Sequence, residues 1–275
     1  MSLLTKTALK AASYPKFRPA PPPELIKKIV GFLNERLSTP FDTAVDVGCG
    51  NGKSTEALSP YFKNVIGFDS SDLKDIYAHR PGGLSYNIIY RQGTAEGIGC
   101  LDDSVQLVTA AQCAHWFNLK KFYSEVERVL APGGVLAIYG YSLPSCEKPY
   151  DQINGIIDEL MNKKLAEFMP HQSKNLYVHK YQTKDFDDFT FNKEPLKRDE
   201  DSYLKVKGSI SDLVNYIRST ATFQNYENTY GQSAGNKILH QLEDDLIQAA
   251  GSENAQKSDL SIIFNFVMVM GRKPF

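Results

Sequence analysis

Three glycines spaced one residue apart, Gly48, Gly50 and Gly52, follow directly on the apolar run Thr43-Ala44-Val45-Asp46-Val47. A strand that feeds such a loop, and then a helix, lets a ligand approach bare backbone and meet the amides of a helix start. Asp69 stands 21 residues after Gly48, closing the next apolar run, Asn64 to Phe68. An acid at that place can accept hydrogen bonds from both hydroxyls of a ribose. Loop and acid together read as a site for a nucleoside-containing cofactor. The dinucleotide loop is spaced G-x-G-x-x-G around a pyrophosphate, whereas this one is spaced G-x-G-x-G. The plainer alternative is a tight strand-to-helix turn with an incidental acid.

A second group of residues could act on a substrate. His115 and Trp116, the only tryptophan, follow the apolar run Val105 to Ala111, and ligands of open α/β sheets bind beyond strand ends of this kind. His115 could serve as a general base, as a hydrogen-bond donor, or as a strand-end histidine satisfied by backbone. Trp116 could wall a pocket or pack into the core. Arg18, in a proline-rich stretch, has the fork that suits a carboxylate. Tyr216, Arg218 and Ser219 close a helical segment and could line an acceptor pocket, or simply end that helix.

These residues need a frame, and the pattern supplies one. Apolar spacing predicts a helix over about 24–37, opened by Pro21-Pro22-Pro23, and another over 53–61. Strands are expected at 43–47, 64–68, 86–91, 105–111 and 135–139, with a helix over 118–130 capped by Asn118 and ended by Pro132-Gly133-Gly134. Such alternation implies a mostly parallel sheet. After about Ser142 the rhythm changes. Helices are expected over 151–168, over 209–218 with a cap at Ser209 and Asp212, and over 237–250; a last strand covers 261–270. The division implied is a cofactor domain of residues 1–141 and 251–275, interrupted by an inserted cover at 142–250.

Composition narrows the function. The chain has 275 residues, 31 basic and 32 acidic, for a formal net charge of −1. Such a balance offers no global field for a polyanion, so neither nucleic acid nor anionic membrane is an expected partner. The first residues lack a signal-peptide core, and no run has the length of a membrane span. Four scattered cysteines without C-x-x-C spacing read as reduced thiols, with no metal site. A cytoplasmic enzyme is expected, monomeric or a weak homodimer.

Several segments together resemble the class I S-adenosylmethionine-dependent methyltransferases. The run from Val45 to Gly52 is similar to that family's first motif, with Asp46 where many relatives carry Glu. Gly93-Thr94-Ala95-Glu96 resembles the segment that flanks the adenine. Gln112-Cys113-Ala114-His115-Trp116-Phe117 resembles the motif after the fourth strand, and Leu130-Ala131-Pro132-Gly133-Gly134 the last core motif. Tyr14-x-x-Phe17-Arg18-Pro19 and Leu213 to Ser219 are similar to segments of a small-molecule branch that includes the trans-aconitate methyltransferases. The resemblance covers about residues 10–140 and is thin beyond 142. Asp69-Ser70-Ser71 departs from it, keeping the acid without the hydrophobic residue that commonly follows and packs on adenine.

The resemblance implies a Rossmann-like α/β fold: a mostly parallel seven-stranded sheet, helices on both faces and an inserted helical cover. It implies S-adenosylmethionine as cofactor and S-adenosylhomocysteine as product. Arg18, Asp46, Gly48, Cys49, Gly50, Gly52, Asp69, Ser70, Thr94, Ala95, Glu96, Gln112 and Cys113 would bind the cofactor. His115, Trp116, Tyr216 and Ser219 would meet a small-molecule acceptor, such as a carboxylate, with His115 the candidate catalytic group. Two alternatives stand beside it: a regulatory module that binds the cofactor without turnover, and an NAD-dependent oxidoreductase.

Overall fold

The computed structural model describes residues 18–72, 86–187 and 189–275. Tyr14 and Phe17 of the proline-rich lead-in lie outside the described residues. The first helix, α1 (Pro23–Asn34), starts on a proline already fixed at helical φ and buries Leu25, Ile26, Ile29, Phe32 and Leu33. Then come β1 (Phe41–Val47), α2 (Lys53–Leu58), β2 (Phe62–Asp69), β3 (Ile88–Gln92) and β4 (Val105–Ala111). Helix α3 (Leu119–Val129) is capped by the Asn118 side chain, which accepts from the Lys121 amide at 3.3 Å, and leads into β5 (Leu130–Tyr141).

The sheet runs in the order β3-β2-β1-β4-β5, all neighbours parallel, and β9 (Leu260–Arg272) lies antiparallel on β5. From β1 the chain winds outward one way through β2 and β3, then returns to wind the other way through β4 and β5. Beyond the carboxyl ends of β1 and β4 lies the crevice of such a sheet. The central strands are buried on both faces, which is why they read as largely apolar runs.

Among the described residues nine strands form rather than the expected seven. Seven lie on one path, which ends in the short β6 (Ser145–Cys146); β7 (Lys197–Asp199) and β8 (Tyr203–Gly208) branch from it by pairing with β9. The two branches are largely exposed and partly charged, so they carry little apolar signal. β5 also begins five residues before its expected start. Pro132-Gly133-Gly134 is part of the strand: the Gly133 amide bonds to the Lys273 carbonyl and the Lys273 amide to the Gly134 carbonyl, each at 2.9 Å. Gly133, at φ 79°, absorbs the irregularity beside the register shift at Val105 and Leu107.

The chain divides into two compact units. The sheet unit holds residues 20–142, 175–202 and 266–275. On one face of its sheet, Val45, Val108, Leu136 and Val269 share a core with Phe122 and Val126 of α3 and with Leu176, Tyr181, Phe186 and Phe189. Those last four are why 175–202, expected within the insertion, packs with the sheet. The opposite face carries Asp46 and Arg272, whose side chains reach α2 and the end of α1.

The second unit holds residues 18–19, 143–174 and 203–265 of the described chain. It contains α4 (Asp151–Asp158), α7 (Ile210–Arg218), α8 (Ala221–Tyr230) and α9 (Gln232–Ala250), with β8 paired along Leu260–Asn265. Two short helices, α5 (Lys174–Tyr177) and α6 (Lys184–Asp187), precede them in the chain after α4. The helix expected over 151–168 changes at Glu159 into a π-helical stretch and then a single 3-10 turn. Helix α8 is unannounced in the sequence because Thr222 and Phe223 are the residues it buries. Among the described residues no helix is long and apolar enough to cross a membrane.

Helix α7 carries the capping box read from the sequence: Ser209 Oγ accepts from the Asp212 amide at 3.2 Å, and Asp212 Oδ2 accepts from the Ser209 amide at 2.8 Å. Ser209→Ala should lower the unfolding free energy by about 1 kcal/mol. In urea this is expected as an earlier midpoint with unchanged slope; an unmoved midpoint would mean the cap carries no net stability.

Candidate active site

The glycine loop spans the turn from β1 to α2, at the crevice beyond β1 and β4. Gly48, Gly50 and Gly52 all lie in the left-handed region, at φ 69°, 53° and 83°. Two of them are packed tight. A Cβ on Gly48 would come within 2.7 Å of Cys113 Sγ, and one on Gly52 would run into the Tyr90 hydroxyl. Gly50 differs: a Cβ there would meet nothing within 4 Å. The loop is therefore pressed against its own protein at both ends and open in the middle.

Asp69 closes β2 on the other side of this opening. Its Oδ2 accepts from the Gly50 amide at 2.8 Å and its Oδ1 from the Ser71 amide at 2.9 Å. The Gly93 amide bonds to the Asp69 carbonyl at 2.9 Å, and Gln92 Nε2 to the Ser70 carbonyl at 3.2 Å. Ser70 and Thr94 are exposed, and Ala95 is buried beneath them. Each carboxylate oxygen keeps a further lone pair, so Asp69 can still accept from a ligand while holding the loop. The Asn51 amide nitrogen is buried without a partner among the described residues, leaving a donor at the same loop.

Asp46 stands behind the loop rather than in the opening. It is fully buried, and its carboxylate accepts from Ser54 (2.6 Å), Thr55 (2.7 Å) and Thr109 (2.8 Å) hydroxyls. Burial raises its pKa, against the pull of those three hydroxyls. Cys113 donates to the Val47 carbonyl at 3.1 Å. Burial pushes the Cys49 and Cys113 thiols up, so both stay neutral packing groups. Glu96 accepts from the Asn118 amide at 2.9 Å, which ties the 93–96 segment to the start of α3.

Gln112 takes a positive φ of 60° at the end of β4. Its side-chain amide accepts from the Tyr141 amide at 3.1 Å and donates to the Tyr141 carbonyl at 3.3 Å, extending the pairing with β5. His115 follows in a short 3-10 turn (Ala114–Trp116), buried, with Nδ1 2.9 Å from the Tyr181 hydroxyl. Burial pushes its pKa down to about 4. Trp116 is half-exposed, so it is not a core residue; its ring centroid lies 5.2 Å from that of His115.

The second unit gathers Arg18, Tyr216 and Ser219. Arg18 Nη2 donates to the Ser219 carbonyl at 3.0 Å, and its guanidinium lies 5.0 Å from the centre of the Tyr216 ring. Ser219 Oγ donates to the Tyr216 carbonyl at 2.6 Å, and both side chains are buried.

Sequence reasoning missed Tyr181, Asn51 and the three hydroxyls on Asp46. Thr109, a polar residue in a mostly apolar strand, was the one visible signal among them. Nothing around Tyr181 pointed to a histidine 66 residues earlier.

A methyltransferase-domain family model matches residues 45–138, from within β1 across the glycine loop and into β5. A Dictyostelium discoideum protein named as a methyltransferase is 30% identical over 262 residues, covering 95% of this chain and 92% of its own. A Saccharomyces cerevisiae protein named as an S-adenosylmethionine-dependent methyltransferase is 31% identical over 139 residues, 49% of this chain and 46% of that one. Among solved structures, a type II methyltransferase from Anaeromyxobacter dehalogenans superposes with a TM-score of 0.70 at 22% identity, covering 94% of this chain and 99% of that one; the likeness shows a shared fold.

The buried imidazole gives a measurable pH dependence. His115 is held at about 4, below the 6.5 of a free histidine, so the unfolded chain binds the extra proton between these values. Stability should therefore be complete above pH 6.5 and fall as pH drops toward 4, by up to about 3 kcal/mol from this residue. Urea unfolding at stepped pH checks it: His115→Asn should flatten that part of the profile, and an equally steep variant would refute the assignment.

Proposed function

Because the chain belongs to the S-adenosylmethionine-dependent methyltransferases, with that cofactor as its methyl donor, we propose that it methylates a small-molecule acceptor, a carboxylate in the first instance. The observation that carries the cofactor assignment is the opening at Gly50 facing Asp69. A loop glycine with nothing within 4 Å of its absent side chain, beside a carboxylate that already orders the loop, is a cradle for a nucleoside with an amino-acid tail. When bound, the cofactor's sulfonium supplies a methyl carbon to a lone pair of the acceptor.

In this reading Asp69 receives the ribose hydroxyls, and the tail lies along Gly48 to Gly52 with the Asn51 amide as a donor. Ser70, Thr94 and Ala95 flank the adenine, and Glu96 fixes their segment. Gln112 and Cys113 set the floor at the end of β4. Asp46 fixes the loop from behind. His115 and Trp116 meet the acceptor. Methyl transfer of this kind needs alignment more than covalent help, and positioning alone can supply up to about 7–11 kcal/mol of the barrier. A carboxylate needs no proton removed before it reacts, which agrees with the low basicity of His115. Unpaired cysteines agree with a cytoplasmic setting.

Two variants test the cradle by calorimetry with S-adenosylhomocysteine. Asp69→Ala should weaken binding by about 1.5–3 kcal/mol, the range for hydrogen bonds to a charged group. Gly50→Val should abolish binding, since its side chain fills the opening and the backbone sits at φ 53°. Folded variants with unchanged dissociation constants would remove these residues from the site.

A further inference from the structure

We propose that Tyr181 is a positioning residue that fixes His115 as a neutral imidazole presenting its Nε2–H, so that the acceptor is engaged through an oxygen that receives this hydrogen bond, a carboxylate above all. The inference rests on the methyltransferase reading and adds to it a positioning residue and the hydrogen bond by which His115 would hold the acceptor.

The tautomer follows from hydrogen-bond accounting. Tyr181 is fully buried, and among the described residues the only partner of its hydroxyl is His115 Nδ1, at 2.9 Å. A phenol in that position must donate, because otherwise its proton is buried with no acceptor. Nδ1 is therefore the acceptor and Nε2 carries the ring proton. Nε2 has no partner among the described residues, and His115 as a whole is 7% exposed. The exposed indole of Trp116 stands beside it.

The protein holds Tyr181 at some cost. Its φ is 56° and that of Lys180 is 50°, left-handed values that a bulky side chain avoids. The segment is clamped there: the Tyr181 amide bonds to the Asn175 carbonyl at 2.7 Å, and Arg198 Nη1 to the Tyr181 carbonyl at 2.9 Å. The ring packs on Phe186 with centroids 4.6 Å apart. His115 is placed just as firmly. Two residues before it Cys113, and two after it Phe117, are the atoms that a Cβ on Gly48 would strike, so the imidazole sits on the same turn that touches the glycine loop.

A ring held this way gives a hydrogen bond and takes no proton. It cannot serve an alcohol or an ammonium acceptor, which must lose a proton to react. It does serve an acceptor whose oxygen is already a lone-pair donor. One carboxylate oxygen can be held by Nε2–H while the group stays anionic.

Nitrogen NMR of the imidazole reads this directly, with the His115 signals identified as those missing from His115→Gln. The expected spectrum has Nε2 protonated and Nδ1 bare across pH 6–8, and Tyr181→Phe should show a mixture of both tautomers. A protonated Nδ1 in the unmodified protein, or an unchanged tautomer in Tyr181→Phe, overturns the assignment. If Tyr181→Phe does not fold, the unmodified spectrum alone decides it. Titration of the S-adenosylhomocysteine complex with benzoate and with benzylamine tests the acceptor class. Benzoate should move the Nε2–H signal more than benzylamine does; an equal or smaller response overturns the class. Calorimetry keeps the two readings apart, since absent S-adenosylhomocysteine binding would sink the methyltransferase proposal while leaving the tautomer result standing.

Discussion

The site is organised around one buried carboxylate. Asp46 sits on β1 in complete isolation from solvent, and three hydroxyls from α2 and β4 converge on it. A carboxylate so placed carries a heavy desolvation cost, which only close hydrogen bonds offset. Those bonds also fix geometry. Ser54 and Thr55 stand at the first turn of α2, just past the glycine loop, while Thr109 lies on the neighbouring strand. The loop between them is thereby stretched across a gap whose two ends cannot drift. Everything downstream of this anchor is local: the left-handed glycines, the Gly50 amide aimed at Asp69, and the thiol of Cys113 laid against Gly48.

The same frame explains how the parts are shared out. The loop, Asp69 and the 93–96 segment belong to strands on one side of the β1–β4 division, and Gln112 to Phe117 to the other. A ligand that spans the division meets a polar, backbone-lined side and a side furnished with His115 and Trp116. The first suits a nucleoside and an amino-acid tail; the second suits a compact group presented for reaction. A neutral Cys113 thiol and a low-pKa His115 imidazole keep the second side free of competing nucleophiles and strong bases.

The legible parts of this molecule were those whose physics is short-range. Gly48, Gly50, Gly52 and Asp69 could be read because a turn, an open backbone and a strand end need particular residue types at fixed spacing. The Ser209 and Asp212 pair declared the start of α7 for the same reason. Tyr181 could not be read, because its meeting with His115 depends on the chain leaving the sheet, returning over 175–202 and taking a strained backbone there. β7 and β8 escaped notice since exposed Lys197-Arg198-Asp199 and the half-exposed run Tyr203–Gly208 carry no buried face. Pro132-Gly133-Gly134 misled because the pairing that keeps it in β5 comes from Lys273, far along the chain.

β9 has a bearing on how the chain comes to be folded at all. Its 13 residues pair with β5, β6, β7 and β8, and it leaves the ribosome after all four of them. At about 5–20 residues per second, β5 exists for several seconds with an unsatisfied edge before its neighbour appears. Such an edge is a template for pairing with other chains. A premature stop before Leu260 would therefore leave four strands without their common partner.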